Sequence, residues 1–188
     1  MKNKVAIIVG NGTSRQEIDL NELVDQGTIY GCNALYRDFE SYDHLVAIDD
    51  GMIEEIKGDP KAIIPPVEER YESSEYNPTQ RRRSNAGMNA MYEAIKSNHN
   101  ILYCLGFDFL LEGDVSVDNI YKGSKNYGPE TRSNVSDNYN RVKYLEWFTN
   151  RFSDTQFVFV VPDGATFKPI ESIGNVVAME TSTFKNKL

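Results

Sequence analysis

The chain has 188 residues, 40% hydrophobic and 26% charged, a balance that suits one soluble globular domain with a self-sufficient core. Its formal net charge of −8 argues against a surface that tracks a nucleic acid backbone, while a small phosphorylated ligand needs only a local positive spot. No apolar run approaches the roughly 20 residues of a membrane span, and the N-terminus lacks the charged-then-apolar order of a signal peptide. Cys32 and Cys104 show neither metal spacing nor a disulfide framework. The expectation is a single cytoplasmic domain over 1–188 with reduced thiols and no transmembrane segment.

The chain opens on Lys4–Val9, a short apolar, β-branched run that reads as a strand buried on both faces. It leads into Gly10-Asn11-Gly12-Thr13-Ser14, a turn that only small residues permit. Ser14 followed by Glu17 reads as a capping box opening a helix. Strand, glycine turn and helix N-terminus are the parts of a phosphate pocket, with free N–H groups and the helix dipole aimed at the anion. The turn holds two glycines where the dinucleotide fingerprint has three, the third place falling on Arg15, and it lacks the Walker lysine. An ordinary strand-to-helix turn is the equal alternative.

Further strands are expected at Gly27–Gly31, Leu45–Ile48 and Ala62–Ile64, the last stopped by Pro65-Pro66. Val67 to Arg83 is polar, aperiodic and read as a loop; its tyrosines leave room for a homo-oligomer contact. Met88, Met91, Tyr92 and Ile95 form one apolar face of a helix over Ser84–Ser97. Ile101–Leu105 reads as a central strand ending in Gly106-Phe107-Asp108-Phe109. Leu110 to Asn134 is a long polar segment, of a length usually found as a lid or as disorder. A helix over Asp137–Phe152, a buried strand at Phe157–Val161 and an edge strand at Asn175–Ala178 complete the chain, with a tail from Lys185 expected to fray.

Alternating strands and helices predict an α/β, Rossmann-like, doubly wound domain with a mostly parallel sheet and a lid-like insertion. In such sheets ligands bind outside the carboxyl ends of the strands. That rule gathers Gly10 to Ser14, Asn33, Asp49-Asp50 and Gly106 to Phe109, with Arg81-Arg82-Arg83 and the helix start near Ser84 beside them. This polar set with one cationic patch suits a phosphorylated, hydroxyl-rich ligand. His44 and His99 each precede a strand and so belong to the opposite face, away from base duty. Without a histidine cluster, a tight transition-metal site is not expected.

Several of these runs share an order with a known family. Val5–Ser14, Glu17-Ile18-Asp19 and Cys32-Asn33-Ala34-Leu35-Tyr36, with 22 residues from Asn11 to Asn33, resemble the N-terminal half of bacterial sialyltransferases of glycosyltransferase family 42. Arg83–Met88 resembles the family's R-x-x-S-G helix start, Leu105–Phe109 its G-[IV]-D-F strand end, and Leu145–Phe148 its last helix. Part of the pattern is shared with the archaeal-type hydroxymethylpterin diphosphokinases. The resemblance implies a CMP-sugar donor as substrate, bound without a required metal or cofactor, and a small glycan or other hydroxyl acceptor. It implies donor contacts at Gly10, Asn11, Gly12, Thr13, Ser14, Asn33, Asp49, Arg83, Ser84 and Gly87.

The same resemblance gives lid tyrosines, here Tyr121 or Tyr127, the task of steadying the leaving phosphate. The chain departs from the family in three places. Ala86 stands where serine precedes the helix glycine, Leu110 stands at the first lid tyrosine, and Arg132–Ser136 lacks the family's histidine. An aspartate, Asp108 or Asp137, would then serve as base, raised by burial above an ordinary pKa of about 3.9. Two other outcomes stay open: a Mg²⁺-dependent diphosphokinase using Asp49, Asp50 and Asp108, and a nucleotide-binding protein that has lost its catalytic base.

Overall fold

The computed structural model describes residues 4–67, 70, 84–111, 117–133, 135–168 and 170–187. Its strands are β1 Val5–Val9, β2 Thr28–Cys32, β3 His44–Val46, β4 Ala62–Ile63, β5 Ile101–Leu105, β6 Val117–Asp118, β7 Arg132–Ser133, β8 Gln156–Val161 and β9 Val176–Glu180. Seven of them form one sheet in the order β4-β3-β2-β1-β5-β8-β9, with every pairing parallel. β6 and β7 pair antiparallel on their own. The α-helices are α1 Asp50–Ile56, α2 Ala86–Lys96, α3 Val135–Arg151 and α4 Thr181–Lys185. The fold is α/β, Rossmann-like and doubly wound, as the alternation of elements predicts.

Both faces of the sheet are covered because the strands are apolar at consecutive positions, and successive side chains point to opposite faces. Ala6 and Ile8 of β1 join Tyr30, Leu102, Cys104, Phe157 and Phe159 under α2 and α3, whose Met88, Met91, Leu145 and Phe148 are fully buried. Ile7 and Val9 face the other way, onto Leu23, Leu35, Met52, Ile56 and Phe184. Each such side chain contributes about 1.5–3 kcal/mol by burial.

The strand order also fixes the topological switch point of the sheet. From β1 the chain steps outward through β2, β3 and β4, then returns to pair β5 with the other edge of β1. The β1/β5 junction is therefore the switch point, where the loops leaving two adjacent strands diverge. α2 ends at the amino edge, since Asn100 N–H donates to Lys4 O at 3.1 Å just after it; its start, with Ser84 and Asn85, lies at the carboxyl edge.

Several local expectations are corrected. No α-helix opens at Ser14: Thr13–Glu17 is a 3-10 turn without a side-chain cap, because the backbone N–H and hydroxyl of Ser14 donate to Asp108 instead. Two more 3-10 turns, Leu20–Leu23 and Asn33–Arg37, carry the chain around β2. β3 ends at Val46, and α1 starts four residues later, where only a strand end was expected. α2 starts at Ala86, with Asn85 rather than Ser84 as its cap, accepting from Met88 N–H at 2.9 Å. The C-terminal stretch expected to fray is partly ordered as α4, anchored by buried Phe184. Of the Val67–Arg83 loop only 67 and 70 are described; Arg81, Arg82 and Arg83 lie outside the described residues. Among the described residues no helix is long and apolar enough to cross a membrane.

Candidate functional site

At the switch point the glycine turn after β1 meets the loop after β5. Gly10 N–H donates to Leu105 O at 2.8 Å and Gly12 N–H to Gly106 O at 3.0 Å. A Cβ on Gly10 would stand 2.9 Å from Gly106 O. One on Gly12 would stand 2.5 Å from Asp108 Cγ and 2.6 Å from Gly106 O. Gly106, at φ +72°, adopts the left-handed conformation that glycine accepts without strain. The close approach that these glycines permit is thus made by a neighbouring stretch of backbone, where the sequence suggested a ligand.

The anion at this turn is Asp108. One carboxylate oxygen accepts Ser14 N–H at 3.0 Å and the Thr13 hydroxyl at 3.4 Å, and the other accepts the Ser14 hydroxyl. Thr13 and Ser14, expected to hold a ligand phosphate, here bind the chain's own carboxylate, which lies against Gly12, while Gly10 packs on the backbone of Leu105 and Gly106.

A different set of groups is left waiting for partners on the same rim. β1 and β2 are neighbours with Val9 beside Gly31, so Asn11 and Asn33 each follow the carboxyl end of one of two adjacent strands. Asn33 sits at φ +52°, an uncommon conformation for a non-glycine residue and one that asparagine tolerates. The side-chain oxygens of Asn11 and Asn33, the Tyr127 hydroxyl and the Ser84 hydroxyl are all buried and have no hydrogen-bond partner among the described residues. Orphaned buried polar atoms are rare and costly in folded proteins, so each of the four is a candidate contact for a ligand's polar group. Tyr127 lies beside Asn33 without closing a hydrogen bond; burial pushes its phenol up to about 12, against the opposing pull of the Asn33 amide.

The segment 117–133, part of the expected lid, packs down on this rim. Ile120 N–H donates to Asn11 O at 3.0 Å, Asn119 bridges to Gly12, and Tyr121 and Tyr127 are buried with ring centroids 5.8 Å apart. Tyr121 has its hydroxyl engaged: it donates to Asp38 and accepts from Arg15 Nη2 at 2.7 Å, and burial, reinforced by Asp38, pushes its pKa up. Arg37 fastens the segment. Its guanidinium donates to Ser124 Oγ at 2.7 Å, Lys125 O at 2.9 Å and Glu55 at 2.5 Å, and lies about 5.8 Å from the Tyr36 and Tyr121 ring centroids. Burial alone would raise the pKa of Glu55, but hydrogen bonds from Tyr36 and Arg37 with the charges of Arg37 and Lys125 hold it down at about 2.

No protein-family model, curated protein or solved structure matches this chain. Function therefore has to come from the site.

The remaining expected residues divide. Asp49 is exposed ahead of α1, and its carbonyl, not its carboxylate, accepts the first helical N–H groups. Asp49 and Asp50 follow β3 while Asp108 follows β5, three strand spacings or about 14 Å away, too far to share one cation. Gly87 is a packing glycine: a Cβ there would stand 2.7 Å from Phe107 Cζ. Asp137 lies in the first turn of α3. His99 stays at the amino edge, its ring nitrogens 3.0 Å from Ala94 O and 3.1 Å from Thr28 Oγ1. Arg15, Arg37 and Asp38 went unnoticed in the sequence. One signal pointed to Arg15: it fills the third-glycine place of the fingerprint, where a side chain cannot pack against the sheet and must turn elsewhere.

Proposed function

We propose that this chain binds a nucleotide-activated sugar of the CMP-sugar class across the carboxyl ends of β1, β2 and β5, and acts as a sialyltransferase-like glycosyltransferase. The observation that carries this reading is the set of unpartnered atoms on Asn11, Asn33, Tyr127 and Ser84, on segments that follow β1 and β2 or begin α2. Two amide oxygens suit hydroxyl and amino donors of a ribose, a cytosine or a sugar, and a phenol suits a phosphate oxygen. The order of strand-end motifs shared with the sialyltransferases supports the CMP-sugar as donor.

In the reaction an acceptor hydroxyl attacks the anomeric carbon. The bond from that carbon to the CMP phosphate oxygen breaks, and CMP leaves with the electron pair. Tyr127 donates to the departing phosphate, a role its unoccupied hydroxyl suits better than the engaged one of Tyr121. The acceptor proton passes to Asp108, which must first release its Ser14 or Thr13 partner. That engagement favours a second version, in which the chain keeps the donor pocket and does not catalyse transfer.

The test is a thermal-shift and calorimetry series with CMP, a CMP-sugar, CTP and ATP, each in EDTA and in Mg²⁺. Stabilisation by CMP or the CMP-sugar in EDTA, abolished in Asn33→Ala, is expected. Stabilisation by ATP with Mg²⁺ alone would overturn the reading in favour of pyrophosphate transfer. Binding without turnover, whatever hydroxyl acceptor is offered, would select the non-catalytic version.

A further inference from the structure

Arg15, Asp38 and Tyr121 form a cluster separate from the contacts proposed above at Asn11, Asn33 and Tyr127. The Arg15 side chain is 3% exposed, whereas that of Asp38 is 44% exposed. Arg15 Nη2 lies 3.2 and 3.5 Å from the two Asp38 oxygens and 2.7 Å from the Tyr121 hydroxyl, which itself donates to Asp38. Arg15 Nε is buried and has no acceptor among the described residues. Nε and Nη2 share the edge of the guanidinium that grips a carboxylate or phosphate through two parallel hydrogen bonds. Asp38 uses only half of that edge. A fixed, buried cation faces an anion that stands almost half in water, with one of its gripping donors empty.

The position is equally telling. Arg15 belongs to the 3-10 turn that follows the β1 glycines, and Asp38 directly follows the turn that begins at Asn33. Both therefore stand at the rim where Asn11 and Asn33 lie. The other anion position on that rim, at Ser14, is filled by Asp108. With a net charge of −8, an anionic ligand gains little from the chain as a whole and depends on a local cation.

We propose that Arg15 and Tyr121 form a binding site for the phosphate group of a phosphate monoester, and that Asp38 closes it when no ligand is present. The incoming phosphate takes Nε and Nη2 of Arg15 together, Tyr121 turns its donated hydrogen bond from Asp38 to a phosphate oxygen, and the Asp38 carboxylate moves into solvent. This rests on the donor-binding reading and extends it by giving the phosphate of the released CMP, a monoester, a place, and its test uses inorganic phosphate so that it stands apart from any nucleotide.

Thermal shifts would be measured in phosphate against sodium chloride of matched ionic strength. Asp38→Asn, which keeps the size of the side chain and removes the competing charge, is expected to bind phosphate at least tenfold more tightly than the unmodified chain. At several times its Kd, phosphate would then raise Tm by about 2–4 °C. Adding Arg15→Lys to Asp38→Asn keeps the charge, removes the two-donor edge, and is expected to abolish most of that gain. Asp38→Ser serves if the asparagine variant does not fold. The proposal is overturned if neither Asp38 variant responds to phosphate more than the unmodified chain, or if the response survives Arg15→Lys. A phosphate response without any nucleotide response would uphold this site and sink the CMP-sugar reading; nucleotide binding with no phosphate gain in the Asp38 variants would do the reverse.

Discussion

Gly12→Ala separates the two explanations of the glycine turn. Gly12 has φ −68° and ψ 148°, a conformation any residue adopts, so alanine brings no backbone strain there and its whole effect comes from contact. The new Cβ would lie 2.6 Å from Gly106 O, a backbone atom, and 2.5 Å from Asp108 Cγ. Relieving the first contact pushes apart two loops tied by the Gly12–Gly106 hydrogen bond, an overpacking cost of about 1–3 kcal/mol. Relieving the second turns Asp108 away from Ser14, and a hydrogen bond to a charged group is worth about 1.5–3 kcal/mol. A loss of about 2.5–6 kcal/mol follows, or a fall in Tm of roughly 5–24 °C for a chain of this size. Urea unfolding with no ligand present measures it. Gly58→Ala is the control, since nothing lies within 4 Å of a Cβ there, and it should be neutral or gain a few tenths of a kcal/mol. Because Asp108 supplies part of the clash, Gly12→Ala should cost less in an Asp108→Ala background than alone. A Gly12→Ala chain within 1 kcal/mol of the unmodified one would refute the packing account and return the glycines to ligand approach.

Other consequences concern the frame and the latch. Asn175 is buried and its amide donates to Thr149 O, Phe152 O and Thr155 O at 2.8, 3.2 and 3.0 Å, closing the end of α3. Asn175→Ala should cost about 2–4 kcal/mol in urea unfolding, and Asn175→Asp more, since a carboxylate would face three carbonyl oxygens. Gly87→Ala should destabilise by about 1–3 kcal/mol, and Phe107→Leu in the same chain should recover part of the loss, because the ring is what the methyl meets. Glu55 is ionised more easily folded than unfolded, so its contribution is complete above pH 4.5 and disappears as the pH falls toward 2; Glu55→Gln should flatten stability against pH across that window. Burial pushes the Cys32 thiol up to about 12 and Cys104 well above its usual range, so iodoacetamide at pH 8 should label neither until urea unfolds the chain.

The strands were legible because burial on both faces writes itself as an unbroken apolar run, and Val5–Val9, Ile101–Leu105 and Gln156–Val161 all carry one. Edge elements were harder to bound: two residues of β4 and the exposed face of β9 carry little pattern. α1 was missed because a seven-residue helix with Gly51 in its first turn has only Met52 and Ile56 to bury. Ser14 misled for a different reason. A capping box is a local motif, and its serine was claimed by Asp108, 94 residues away. The rim residues Asn11, Asn33 and Asp108 could be placed by the rule that ligands bind at strand carboxyl ends. Tyr121 entered only through the family resemblance, and the roles of Arg15 and Asp38 could not be read, since a contact between distant turns leaves no periodicity.

Two carboxylates of this chain thus stand where an anion would be held, Asp108 on the Ser14 turn and Asp38 on Arg15, and they are not equivalent. Asp108 is wedged between glycine backbones: Gly12 has room for no Cβ beside it, and moving the carboxylate strands both the Ser14 N–H and its hydroxyl. Asp38 has nothing comparable behind it; its side chain is 44% exposed, and the cation it faces keeps a free donor on the edge a phosphate would use. Hydrogen bonds from Thr13 and Ser14 and the close approach of Gly12 hold one internal anion, while the other faces solvent. On the proposal above, a ligand phosphate would compete with Asp38 and not with Asp108, on the side of β1 that faces β2. The proposal thereby joins the unpartnered asparagine oxygens and the half-used guanidinium in one binding edge, neutral hydrogen-bond acceptors beside a buried cation.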